Sequence, residues 1–166
     1  QLDPEAVDVA FASCAGRILV CDHGKGLEFD EICERAAAYR DRMNTYFVLE
    51  SLDTLKKNGR LTGLQAFFAT KLNIKPVMGA DNGTIIKLDQ ARGIQKALQR
   101  MAEIAVKEAG TTKDKRLVIA HCNAPERAQF MKEKLCSMAE FKEVVITDTC
   151  GVSTVYANDG GVILAL

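Results

Sequence analysis

The side chains able to do chemistry are few and scattered. His121 and Cys122 stand side by side in V-I-A-H-C-N, and His23 lies beside Gly24, Lys25 and Gly26. A polar residue at the end of a strand is a common working position in α/β folds. A thiol next to it suggests a nucleophile with its base, the chemistry of a transferase or hydrolase. Adjacent residues on a strand point to opposite faces, however, so the two meet only where the strand has ended. The ordinary role for His121 is a hydrogen bond to a loop or a helix cap. Neither a Ser/His/Asp grouping nor a pair of carboxylates accompanies it. Gly24-Lys25-Gly26 is too short for a phosphate cradle, and the glycine-rich nucleotide motifs do not occur in the sequence.

The six cysteines, Cys14, Cys21, Cys33, Cys122, Cys136 and Cys150, include no C-x-x-C pair. Their spacing is not that of metal ligands, and it predicts free, mostly buried thiols. The 22 basic and 22 acidic residues cancel. That balance argues against a broad basic surface for nucleic acid or anionic lipid. Apolar runs stay far short of the ~20 residues of a membrane span. The opening residues Gln1 to Glu5 carry no signal-peptide pattern, so a cytoplasmic location is expected.

The densest signal is apolar. Phe47, Leu49, Leu52, Leu55, Leu61, Leu64, Phe67, Phe68, Leu72 and Ile74 crowd one short stretch. Ordinary core accounts for such a set. A cavity for a lipid-like ligand accounts for it as well. Arg60 follows Gly59 at the opening of the apolar segment, where a guanidinium suits a carboxylate or phosphate. A surface ion pair is the alternative for Arg60.

These residues need a frame. Val7 to Phe11 and Thr45 to Leu49 read as strands, and Phe29 to Arg42 as a helix with Asp30 and Glu31 in its first turn. Leu52 to Lys57 is a short helix closed by Asn58-Gly59, and Gly63 to Leu72 a second one, apolar on nearly every side. On that helix Phe67 and Phe68 cannot both face one small core spot, since consecutive positions differ by about 100°. Ile74 to Met78 is a strand whose Pro76 predicts an edge or bulge. Asp81-Asn82-Gly83 turns it into a partner strand, Thr84 to Leu88. Gly93 to Glu108 is the longest helix. Arg116 to Ala120 is a strand, and Pro125 opens a helix with Asn123 as its N-cap. Val144 to Thr147 and Gly161 to Leu166 complete the strands. The pattern predicts an α/β fold, with α+β as the alternative: a mixed β-sheet flanked by helices.

Several segments stand out: S-L-D-T-L-K-K-N-G-R-L (Ser51 to Leu61), L-N-I-K-P-V-M (Leu72 to Met78), D-N-G-T-I (Asp81 to Ile85) and A-R-G (Ala91 to Gly93). V-I-A-H-C-N (Val118 to Asn123) and S-T-V-Y-A-N-D-G-G-V-I (Ser153 to Ile163) follow them. In this order they resemble the C-terminal domain of the DegV family of bacterial fatty-acid-binding proteins. The resemblance implies a carrier that is not itself an enzyme. It would bind a long-chain fatty acid, with no other cofactor and no metal, and present the carboxylate to a separate fatty-acid kinase. Residues 27–166 would form the lipid-binding domain and 1–26 a remnant of the N-terminal domain or a linker. Arg60, Ser153 and Thr154 would lie nearest the head. Phe47, Leu49, Leu52, Leu61, Leu64, Phe67, Phe68, Leu72 and Ile74 would line the tail, and Arg92 would face the kinase. A family segment His-x-Gly-Pro-Gly has no counterpart: Val155, Tyr156, Ala157, Asn158 and Asp159 stand there, so the histidine contact cannot be carried over. The rival readings are an interaction module that holds no lipid, and a Cys122/His121 transferase or hydrolase.

Overall fold

A computed structural model describes residues 26–61, 73–81 and 84–166. The expected strand Val7 to Phe11, the helix Gly63 to Leu72, and Cys14, Cys21, His23, Asn82 and Gly83 lie outside them. The elements are α1 (Phe29–Arg40), β1 (Thr45–Val48), α2 (Asp53–Lys57), β2 (Ile74–Asp81), β3 (Thr84–Arg92) and α3 (Ile94–Ala109). There follow β4 (Arg116–His121), α4 (Pro125–Met138), β5 (Glu143–Asp148), α5 (Val152–Ala157) and β6 (Val162–Ala165).

Six strands form one mixed sheet in the order β3-β2-β1-β6-β4-β5. Only β4 and β5 run parallel, joined through α4; every other neighbouring pair is antiparallel. The central strand β6, V-I-L-A, is buried at all four positions. A strand apolar on both faces demands a layer on each side. On one side α3 and α4 pack over Tyr46, Val48, Val77, Leu117, Ile119, Val162 and Leu164. Helix α3 delivers Ala97, Leu98, Met101 and Ala105 to that core, the stripe its spacing predicts. Each fully buried Leu or Met there contributes about 2 kcal/mol of apolar burial. On the other side Tyr39 and Met43, at and just beyond the end of α1, cover Val118 and Ala165, while α2 and α5 cover a separate cluster described below.

The structure corrects several expectations. Of the edge and the bulge expected at Pro76, the structure shows the bulge, for strand β2 is interior, between β3 and β1. Pro76 is accommodated there because its pairing with β1 stops at Met78, and a bulge between Val77 and Met78 shifts the register against β3. A residue without an N–H fits where a ladder has ended. Strand β3 runs on to Arg92 despite polar Lys87, Asp89 and Gln90, because β2 stays paired with it as far as Ile74. The residue before α4 is Ala124, and Asn123 takes a left-handed turn (φ 49°) that sends its amide to Asp159. No side chain caps the helix in the N-cap manner; His121 Nδ1 instead accepts the N–H of Ala124 itself at 3.3 Å. Cys33, Cys122, Cys136 and Cys150 are free, but only Cys122 is buried. The helices α1 and α4 turn Cys33 and Cys136 outward, and Cys150 sits on the loop before α5.

Tyr46 is 2 % exposed, and its hydroxyl donates to Glu108 Oε2 at 2.8 Å. Burial above all, then the hydrogen bond to Glu108 and its charge, push the phenol well above the ordinary tyrosine value. The unfolded chain releases this proton near about pH 10 while the folded chain keeps it. This contribution to stability is therefore complete below about pH 10 and is lost as pH rises further. Tyr46→Phe is expected to cost about 1 kcal/mol at neutral pH and to flatten the alkaline fall in stability. Denaturant titrations across the alkaline range check this; an unchanged slope refutes it.

Candidate functional site

One edge of the sheet gathers the residues with chemical potential. Val48 of β1 and His121 of β4 both register with Val162, the first residue of β6. Asp148 of β5 lies opposite His121, and Arg92 of β3 opposite Ile74 of β2. The ends of β1, β3, β4 and β5 and the starts of β2 and β6 therefore share this edge. Backbone bonds tie it together: Thr149 N–H to His121 O at 2.8 Å, Cys122 N–H to Gly161 O at 3.0 Å, and Gly160 N–H to Cys122 O at 2.8 Å.

Beside this edge lies the second apolar cluster. Leu49, Leu55, Leu61, Met78, Ala120, Cys122, Ala157 and Ile163 form it, with Phe47, Leu52, Ile85 and Tyr156 partly buried against it. Four residues expected along a lipid tail, Phe47, Leu49, Leu52 and Leu61, thus come together on one face. Ile74 is half-buried at the start of β2 and belongs to none of the clusters. Leu64, Phe67, Phe68 and Leu72 lie outside the described residues. The cluster is roofed by α2 and α5, which pack on each other. Helix α5 carries no helical signature in V-S-T-V-Y-A, and six residues are too few to be stable alone. Burial of Ala157 and Tyr156 holds it, while Val152 and Val155 form its exposed outer side.

The expected head-group residues border this roof. Arg60 is half-buried directly after α2, its N–H on Leu55 O at 2.9 Å. Ser153 is half-buried, and its hydroxyl donates to Cys150 O at 2.6 Å, so that hydrogen is already committed. Thr154 and Thr149 share a hydroxyl–hydroxyl bond at 3.0 Å. Such a pair uses one hydrogen internally and leaves the other to donate outward. Thr149 was not among the residues read from sequence; only the turn from β5 into α5 brings it to Thr154. Arg92 is exposed at the end of β3.

His121 and Cys122 have different partners: Cys122 is buried in the second apolar cluster, and His121 meets the start of α4. Cys122 Sγ lies 4.0 Å from Thr154 O, a weak contact. His121 Nδ1 lies 3.3 Å from the Ala124 N and 3.5 Å from Asp148 Oδ1. Among the described residues no group of three or more His, Cys, Asp or Glu side chains is placed to hold a metal. None of the described helices is long and apolar enough to cross a membrane.

A sequence profile described as "Uncharacterised protein, DegV family" matches residues 20–165. The chain belongs to the DegV family. A DegV domain-containing protein of Streptococcus pyogenes is 34% identical over 140 residues, 84% of this chain and 49% of that one. A solved DegV-family structure from Ruminococcus gnavus, described with vaccenic acid, is 46% identical with a TM-score of 0.82. The match covers 90% of this DegV chain and 53% of that one. The Fatty Acid Kinase (Fak) B3 protein of Streptococcus pneumoniae, loaded with linoleic acid, is 31% identical with a TM-score of 0.77 over 94% of this chain and 54% of its own. This chain thus spans about half the length of the relatives it matches.

Sequence reasoning missed the polar hub of this edge. Glu50, just past β1, takes Lys75 Nζ at 2.8 Å and Arg127 Nη1 at 3.0 Å. The same Lys75 donates to Glu50 O at 2.6 Å, and Arg127 to Gly160 O at 2.6 Å. The partners lie far apart in sequence, so no local spacing announces them. The Lys75 hydrogen bond chiefly holds the Glu50 carboxyl below its ordinary range; the Lys75 charge and Arg127 add to it, and partial burial opposes them. A lowered carboxyl stabilises the fold above its unfolded pKa and loses that contribution as pH falls through the folded value. Glu50 is 42% exposed, so solvent screening limits the effect. Glu50→Gln is expected to cost at most ~1 kcal/mol at neutral pH, and less near about pH 3. Equal destabilisation at both pH values in thermal unfolding refutes this.

Proposed function

We propose that this chain, over residues 27–166, binds a long-chain fatty acid against its second apolar cluster and presents the carboxylate to a separate fatty-acid kinase. It acts as a carrier in the cytoplasm and catalyses no reaction of its own. The observation that carries the reading is the grouping of Phe47, Leu49, Leu52 and Leu61 in one apolar cluster whose roof is bordered by Arg60 and the Thr149–Thr154 hydroxyl pair. The lipid-loaded relatives support it, the Ruminococcus protein most directly at 46% identity. Leu64, Phe67, Phe68, Leu72 and Ile74 extend the tail site in this reading, and Ser153 holds the turn that aims its neighbour Thr154. A tail of ~14 to 18 carbons gains ~0.8 kcal/mol per buried methylene, enough to outweigh the cost of ordering it.

Mass spectrometry of lipid extracted from the purified protein should find a long-chain fatty acid, and Arg60→Ala should weaken its binding roughly tenfold, the worth of a charge-assisted hydrogen bond. Recovery of protein without lipid, and without uptake of added fatty acid, ends the reading.

Arg92, exposed at the end of β3 and outside the apolar cluster, is the proposed contact to the kinase. Arg92→Ala should leave fatty-acid binding unchanged and reduce kinase-coupled formation of the acyl phosphate. Unchanged coupling, measured with the same fatty acid, removes Arg92 from the partner surface.

A further inference from the structure

Asn158 occupies an unusual place. It follows α5 with φ 55° and ψ 170°, a backbone region that glycine favours and other residues hold only where their surroundings fix it. Its side chain reaches across to α2. The carboxamide oxygen accepts the Thr54 hydroxyl at 3.2 Å, and the amide nitrogen lies 3.4 Å from Ser51 O and 3.2 Å from Tyr156 O. One carboxamide therefore joins the first turn of α2 to the last turn of α5.

This carboxamide gives side-chain hydrogen bonds that run directly between the two helices. The helices have five and six residues, too short to persist without tertiary contacts. Leu55 and Ala157 anchor their undersides in the apolar cluster. Apolar contact is non-directional, so it does not by itself fix how the helices sit relative to each other. The carboxamide bonds do, because they are directional. They also fix the separation between Arg60, after α2, and the Thr149–Thr154 pair, before and within α5.

We propose that Asn158 and Thr54 form a clasp that sets the opening of the roof over the lipid site, making Asn158 a positioning residue for ligand release. The proposal rests on the fatty-acid reading above. With the clasp closed, α2 and α5 move as one lid; with it broken, each opens alone and the tail escapes more readily.

Release of cis-parinaric acid, a fluorescent fatty acid, from the whole protein tests this. Thr54→Val removes one hydroxyl and keeps the shape of the side chain. Asn158→Gly removes the carboxamide and keeps access to positive φ. Each should release the probe roughly three- to ten-fold faster, the worth of one net hydrogen bond, with a thermal midpoint close to wild type. Thr54→Ser, which keeps the hydroxyl, should release at the wild-type rate. The double variant should be no faster than the faster single variant, as for two halves of one interaction. Unchanged release in both single variants, rates that multiply in the double variant, or Thr54→Ser behaving like Thr54→Val overturns the clasp. Should Asn158→Gly fail to fold, the Thr54 pair decides alone. Wild-type protein that takes up no cis-parinaric acid removes the fatty-acid reading and the clasp together. Uptake with unaltered release in the variants removes only the clasp.

Discussion

Four residues buried on both sides, Val162 to Ala165, govern how the rest of this domain is built. A central strand with no solvated face must be covered twice, or its apolar surface stays in water. One cover is thick and regular: α3 and α4, long helices whose apolar stripes meet Val162 and Leu164. Among the described residues the other is made of shorter pieces, with the end of α1 over Ala165 and α2 and α5 near Ile163. The asymmetry separates the tasks. Among the described residues the side of α3 and α4 holds the larger buried apolar cluster. The other side places the second apolar cluster under two short helices, the surface to which the proposed fatty-acid site is assigned.

The start of β6 also organises the polar edge. Gly160 and Gly161 bond to Cys122 through the backbone, and Arg127 reaches Gly160 O while holding Glu50. Glu50 in turn takes Lys75, so β1, β2, α4 and the entry to β6 meet in one cluster of charge. Its members are partly exposed and individually worth little. As a group they determine where the chain leaves β1 for α2, and so where Arg60 emerges. The histidine of this edge serves the same end. His121 meets the Ala124 N–H just before α4, and Asn123 beside it bonds Asp159.

The sequence by itself determined the alternation of strands and helices, the apolar stripe of α3, the β2–β3 hairpin and the grouping of apolar residues from Phe47 to Leu61. Each of these is local: side-chain periods of 2 and 3.6 and the demands of turn residues are written in neighbouring positions. The family likeness was legible for the same reason, being carried by short contiguous segments such as Ser51 to Leu61. Only the tertiary structure decided the rest. Strand β3 persists through Lys87, Asp89 and Gln90 because β2 pairs with it, and α5 forms from β-branched residues because Ala157 finds a buried place. Thr149 meets Thr154, Glu50 meets Arg127, and Thr54 meets Asn158 across as many as 104 positions. A hydrogen bond acts over about 3 Å and requires alignment. Which donor finds which acceptor is therefore settled by where folding brings the backbone, and the order of residues along the chain does not record it.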